Sequence, residues 1–133
     1  MKHKLYNIKG KRCAKLGELE TAISFYEKAI SIKSEYVDAH YNLGSANHKL
    51  GRLDSAVTSY KKVVAISPDY AVTHNNKILS VIYFFSKQLI PDAIDVLEEL
   101  IKDSPNDALL FNMTGGCYAS QGKTDLAIKF YEK

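Results

Sequence analysis

Apolar and polar positions follow a helical period in segment after segment of this chain. In "DAHYNLGSANHKL", Ala39, Leu43, Ala46 and Leu50 recur three or four residues apart, so they share one face of a helix. "DSAVTSYKKVVAI" repeats the pattern with Ala56, Tyr60, Val63 and Val64. Gly51 lies between the two, where a first helix needs a left-handed residue to stop, and Pro68 marks the end of the second. A connection this short folds two helices back as an antiparallel pair.

The pair is one member of a ladder. Gly17 to Gly51 is 34 residues and Gly51 to Gly122 is 71. Ala22 to Ala56 is 34, Ala56 to Ala93 is 37, and Ala93 to Ala127 is 34. Pro68 to Pro105 is again 37. Independent markers therefore give one period, with three extra residues in the third unit. The units are 3–36, 37–70, 71–107 with the insertion, and a truncated fourth, 108–133. The final "QGKTDLAIKFYEK" aligns with the turn and the opening of a second helix. It is expected to be a cut through the fourth unit, and the chain an excerpt from a longer array.

The third unit departs from the others. The extra residues fall between Lys77 and Ile90, which predicts a first helix about one turn longer. Gln88 stands where the turn glycine is expected. A left-handed Gln costs roughly 1–2 kcal/mol, so a turn of another shape is expected, with Pro91 opening the next helix. "VIYFF" is the most apolar stretch of the chain. It reads either as a denser core or as a contact patch for a partner.

Small residues at Gly10, Gly44 and Gly115, turn glycines at Gly17, Gly51 and Gly122, and alanines at Ala22, Ala56, Ala93 and Ala127 recur in phase. So do Tyr26, Tyr60, Leu97 and Tyr131. Ala29, Val63 and Leu100 follow them, then Ser34, Pro68 and Pro105. This pattern resembles the tetratricopeptide repeat and covers nearly the whole chain. The resemblance implies an all-α fold, an α-solenoid of antiparallel helix pairs in a right-handed superhelix. Small residues would let the helices of a unit approach closely, the aromatic would fill space against the next unit, and stacking would supply the stability.

Composition adds limits. Apolar residues at 46% and charged ones at 25% are values of a folded globular chain. Residues 1–66 carry 12 Lys/Arg against 6 Asp/Glu, and residues 67–133 carry 6 against 9. No run approaches the roughly 18 apolar residues of a membrane span, and the N-terminal stretch lacks the apolar core of a secretory signal. Two cysteines make no disulfide framework. A cytoplasmic location is expected, with no membrane and no nucleic acid among the partners. The N-terminal lysines are the weak exception, opposed by the acidic second half.

Catalytic or metal chemistry finds no constellation. His40 and His74 occupy the slot of Tyr6 and Phe111, a ring-packing position. His40 and His48 are two helical turns, about 12 Å, apart and cannot share a metal ion. Cys13 and Cys117 read as small buried apolar residues. Glu20, Asp54, Asp92 and Asp125 open each second helix, where a carboxylate offsets the helix dipole. "TGG" at 114–116 lies inside a predicted helix and is no phosphate loop. The chain reads as non-enzymatic, with no cofactor.

The resemblance directs attention to the first helices, which in this family line a concave groove. The groove positions give Asn7, Lys11 and Lys15 with Lys4 beside them, then Tyr41, Asn42, Ser45, His48 and Lys49, then Asn75 and Asn76, then Asn112. Leu79 and Tyr83 are weaker candidates. An amide donates and accepts at once, so a row of asparagines can pair with a peptide backbone. Asn42 and Asn76, 34 residues apart, are similar to the asparagine ladder of the repeat domain in O-linked N-acetylglucosamine transferases. The plainer reading is solvated polar groups on a helix face. The carboxylate clamp of chaperone-binding repeats is matched only at Asn42. The expected function is a protein–protein interaction scaffold holding an extended peptide. The alternatives are a substrate-presenting segment of a larger transferase, or a solenoid that self-associates through uncapped repeat ends.

Overall fold

The computed structural model describes residues 1–73 and 77–132. All regular structure among them is helical, with no strand. The helices are α1 (Lys2–Lys15), α2 (Leu19–Ile32), α3 (Val37–Lys49), α4 (Leu53–Ile66), α5 (Pro68–Thr73), α6 (Lys77–Ser86), α7 (Ile90–Asp103), α8 (Ala108–Ser120) and α9 (Thr124–Tyr131). The chain forms two compact units, Met1–Tyr70 and Ala71–Lys133.

In the first unit α1 pairs with α2 and α3 with α4, and α3 packs on α2 while touching α1. One core cluster gathers Ala22, Ile23, Tyr26 and Ala46, with Cys13, Ala14, Leu19 and Leu43 around them. In the second unit α6 pairs with α7, α7 packs on α8, and α8 pairs with α9. Here one core cluster is Val81, Ala93, Ile94, Leu97, Leu110 and Cys117. Val81 and Ile82 of "VIYFF" are buried, Tyr83 and Phe84 half-buried, and Phe85 exposed, so most of that stretch is core.

One turn is built four times among the described residues. The Gly17 N–H donates to the Ala14 carbonyl at 3.0 Å and the Glu18 N–H to Cys13 at 2.9 Å. The same two bonds recur from Gly51 and Arg52 to His48 and Asn47, and from Gly122 and Lys123 to Ala119 and Tyr118. This is the Schellman closure, which satisfies the last carbonyls of a helix and needs a left-handed residue. Gln88 makes it too: its N–H donates to Phe85 at 3.0 Å and that of Leu89 to Phe84 at 2.7 Å, with φ at 61°. The expectation of a differently shaped turn is thus corrected. The bonds that end α6 outweigh the local strain, and Pro91 in the first turn of α7 needs no N–H partner. The expected extra turn in the first helix of this unit depends on residues 74–76, which lie outside the described residues.

The recurring aromatic also has a more local task than expected. A Cβ on Gly10 would lie 2.5 Å from Tyr26, on Gly44 2.7 Å from Tyr60, and on Gly115 2.8 Å from Tyr131. Each ring therefore lies against the bare backbone of its own helix pair. Tyr26 also reaches the following pair, sharing a core cluster with Ala46. Seven residues before Gln88, where the others have glycine, stands Val81, and Leu97 replaces the tyrosine. Both are fully buried in one cluster. Leu97 reaches less far than a tyrosine ring, which leaves room for the Val81 side chain where the other pairs have bare backbone.

Helix ends follow electrostatics. Glu20, Asp54, Asp92 and Asp125 fall in the first turns of α2, α4, α7 and α9. Asp107 caps α8 directly, accepting from the Leu109 N–H at 3.0 Å.

Candidate functional site

The face that α1 and α3 share is centred on two amides. Asn42 of α3 donates through Nδ2 to Oδ1 of Asn7 on α1 at 3.0 Å. Asn7 is buried, so its carbonyl has left water and is satisfied by this bond. Asn42 is half-buried. The bond leaves its own carbonyl oxygen and second amide proton for another partner. The bond gives Asn7 a structural task, since it holds the Asn42 amide in place.

Lys11 and Lys15 of α1 and Lys49 of α3 are exposed, while Ser45 and His48 of α3 are half-buried. Tyr41 is held in an aromatic row, with its ring centroid 6.1 Å from Tyr60 and 5.8 Å from Tyr70. The Tyr70 hydroxyl donates to Asp38 Oδ1 at 3.4 Å. Burial, then the neighbouring Asp38 charge, pushes the Tyr70 phenol up to about 12. Asn112 of α8 is exposed in the second unit. Leu79 is fully buried and belongs to the core, not to a binding face. Asn75 and Asn76 lie outside the described residues, as does His74.

The other candidates resolve into structure. His40 is buried, and its Nε2–H donates to the Ser34 carbonyl at 2.8 Å, tying α3 to the preceding loop. In the same slot Tyr6 stacks on Phe25 and Phe111 on Phe130, at 6.2 and 6.3 Å. Cys117 is buried, which pushes its thiol up to about 11. Cys13 is only half-buried, less enclosed than expected. Among the described residues no cluster of His, Cys, Asp and Glu could hold a metal ion, and no helix is long and apolar enough to cross a membrane.

The groove positions contain both Asn7 and Asn42 but do not by themselves disclose the bond between them. Its sequence signal is their 35-residue separation, one period plus one residue.

Known proteins give the frame for this geometry. Family models described as TPR repeat and tetratricopeptide repeat match residues 10–51, 37–70 and 81–133. Among solved structures, the chain is similar to MamA 41-end from Desulfovibrio magneticus RS-1. That match has 23% identity and a TM-score of 0.57, and covers 97% of this chain and 71% of that one. It is also similar to a thermophilic TPR protein in Thermus thermophilus, at 22% identity and a TM-score of 0.54, covering 96% and 70%. A crystal structure of MamA gives 22% and 0.56, covering 98% and 74%. At these identities the likeness is one of fold. No curated protein matches the chain. Domains of this kind are typically non-catalytic and mediate protein–protein contacts. With three repeat models along its length and helix pairs closed by a recurring turn, the chain belongs to the tetratricopeptide repeat family.

Proposed function

We propose that the chain is an interaction scaffold that holds an extended peptide on the face shared by α1 and α3. The observation that supports this is the Asn42 amide, oriented by Asn7 and left with a donor and an acceptor to offer. A peptide backbone presents the complementary pair whatever its side chains. Exposed lysines on the same two helices, Lys11, Lys15 and Lys49, favour neutral or acidic segments. By sequence period Asn76 takes the slot of Asn42 and is proposed to continue the ladder, while in the fourth unit that slot holds Met113 with Asn112 beside it. A peptide selected by display against the intact chain supplies the test. Asn42→Ala should weaken that peptide about tenfold in a calorimetric titration, and Asn76→Ala should weaken it as well. Lys61→Ala, exposed on α4, should leave it unchanged. Full affinity in both asparagine variants would remove the amide ladder from consideration.

A second reading has its own observation. Tyr131 is 51% exposed, whereas Tyr26 and Tyr60 in the same role are 2% and 3% exposed. Ile128, one turn before it on α9, is exposed with it. This face suits a further helical layer, in a second copy of the chain. Light scattering should then give an average mass that rises with concentration and falls back in Tyr131→Glu. A constant monomer mass would count against it.

A further inference from the structure

The two units build one slot from different residues. In the second unit, Tyr118 of α8 stands four residues before the turn at Gly122. Its hydroxyl donates to Glu98 Oε1 of α7 at 3.1 Å. Its ring stacks on Phe130 of α9 with centroids 5.4 Å apart, and Lys123 Nζ lies 5.9 Å from the ring. The residues at the same distances from the Gly51 turn in the first unit are Asn47 for Tyr118, Ser59 for Phe130 and Arg52 for Lys123. Glu27 stands for Glu98, ten residues past the preceding turn. Both rings are replaced by short polar groups, while the carboxylate and the cation are kept.

A cleft of about 530 Å³ lies where the rings would be. Asn47 and Ser59 line it, with Ile23 and Leu43 as apolar walls, and Glu27 and Arg52 line it too. Asn47 and Ser59 are each only 6% exposed. Neither side chain has a hydrogen-bond partner among the described residues. No side-chain polar atom there is both unpartnered and fully closed off, so the polar ends of Asn47 and Ser59 open onto the cleft. Hydrogen-bonding groups held at the floor of a cleft with apolar walls point to something that occupies it. Glu20 and Asp54 also line it, which gives three carboxylates against one guanidinium. Arg52 is itself ion-paired to Glu20.

We propose that this cleft docks a tyrosine side chain from a partner protein, carried in a basic segment. The ring takes the place that Tyr118 fills in the second unit, against Ile23 and Leu43. Its hydroxyl donates to Glu27 as that of Tyr118 does to Glu98. Arg52, held by Glu20, faces the ring as Lys123 does, and the surplus carboxylates receive the flanking Lys or Arg. The site uses α2, α4 and the far end of α3, and shares no residue with the Asn42 face.

The capped peptide Arg-Tyr-Arg, titrated into the intact chain and followed by amide NMR, tests this. Saturable shifts centred on Asn47 and Ser59 are expected, with Arg-Phe-Arg about tenfold weaker for want of the hydroxyl. The double variant Asn47→Tyr/Ser59→Phe rebuilds the second unit's ring pair and should abolish both titrations. Glu27→Gln should reduce the tyrosine peptide's advantage over the phenylalanine one. Asn42→Ala should change nothing here, so failure of the groove reading and of this one are told apart. No saturation by Arg-Tyr-Arg, or unaltered binding in the double variant, overturns the proposal.

Discussion

The helix pairs α3/α4 and α6/α7 solve one packing problem in opposite ways. In α3/α4 a tyrosine ring lies on a glycine, Tyr60 on Gly44. In α6/α7 an aliphatic pair, Val81 and Leu97, fills the same layer. Neither half of either solution is interchangeable with its counterpart. What the fold requires at this layer is a pair of complementary shape, and a residue can be judged only with its partner.

The comparison can be broken by exchanging halves. Gly44→Val should be the most damaging change, because its Cβ would fall 2.7 Å from Tyr60 and a buried ring has no room to retreat. A loss of about 3 kcal/mol is expected in denaturant unfolding. Adding Tyr60→Leu, which copies the α6/α7 solution, should restore more than half of it. A double variant no better than the single one would show that the two positions are not coupled.

A smaller effect belongs to the turns. Gln88→Gly should stabilise the chain by roughly 1 kcal/mol, since glycine reaches a φ of 61° without a Cβ penalty. Gly51→Gln should cost a similar amount, because φ there is 78°. Thermal melts of the two variants should move in opposite directions.

The gentlest test concerns the cysteines, one in each unit. Cys117 is buried and its thiol raised to about 11, whereas Cys13 is half-buried. At pH 8 a thiol reagent should label Cys13 first, as peptide mapping would report. The raised thiol also has a stability consequence. Its folded value exceeds the ordinary one of 9.0. The contribution of neutral Cys117 is therefore full below about 9 and lost as pH rises through about 11.

Periodicity makes the fold legible because every unit repeats the same few demands. Gly17, Gly51 and Gly122 announce turns, and Ala22, Ala56, Ala93 and Ala127 announce close helix contacts. Gln88 is misread from local propensity alone, which leaves out the two backbone bonds that close the helix. The Gly44–Tyr60 contact stays hidden when residues are weighed one at a time, because a pairwise constraint has no signature at a single position. At the candidate site, Asn42 is legible from its chemistry. The role of Asn7 is not, since burial arises only once α1 and α3 lie side by side. The cleft beside Asn47 is illegible for another reason. It is defined by side chains too short to fill a space, and that space exists only in three dimensions.

The four Schellman turns carry one more consequence. Each fixes the direction in which the next helix departs, because its two bonds tie the turn residue and the one after it to the last turn of the outgoing helix. The turn at Gln88 thus works as a point from which the chain counts afresh. Residues added upstream alter the length of the approach but leave the phase of α7 intact. An array punctuated in this way can accept insertions, or exchange whole repeats, at the entrance to a unit without rotating the packing faces that follow.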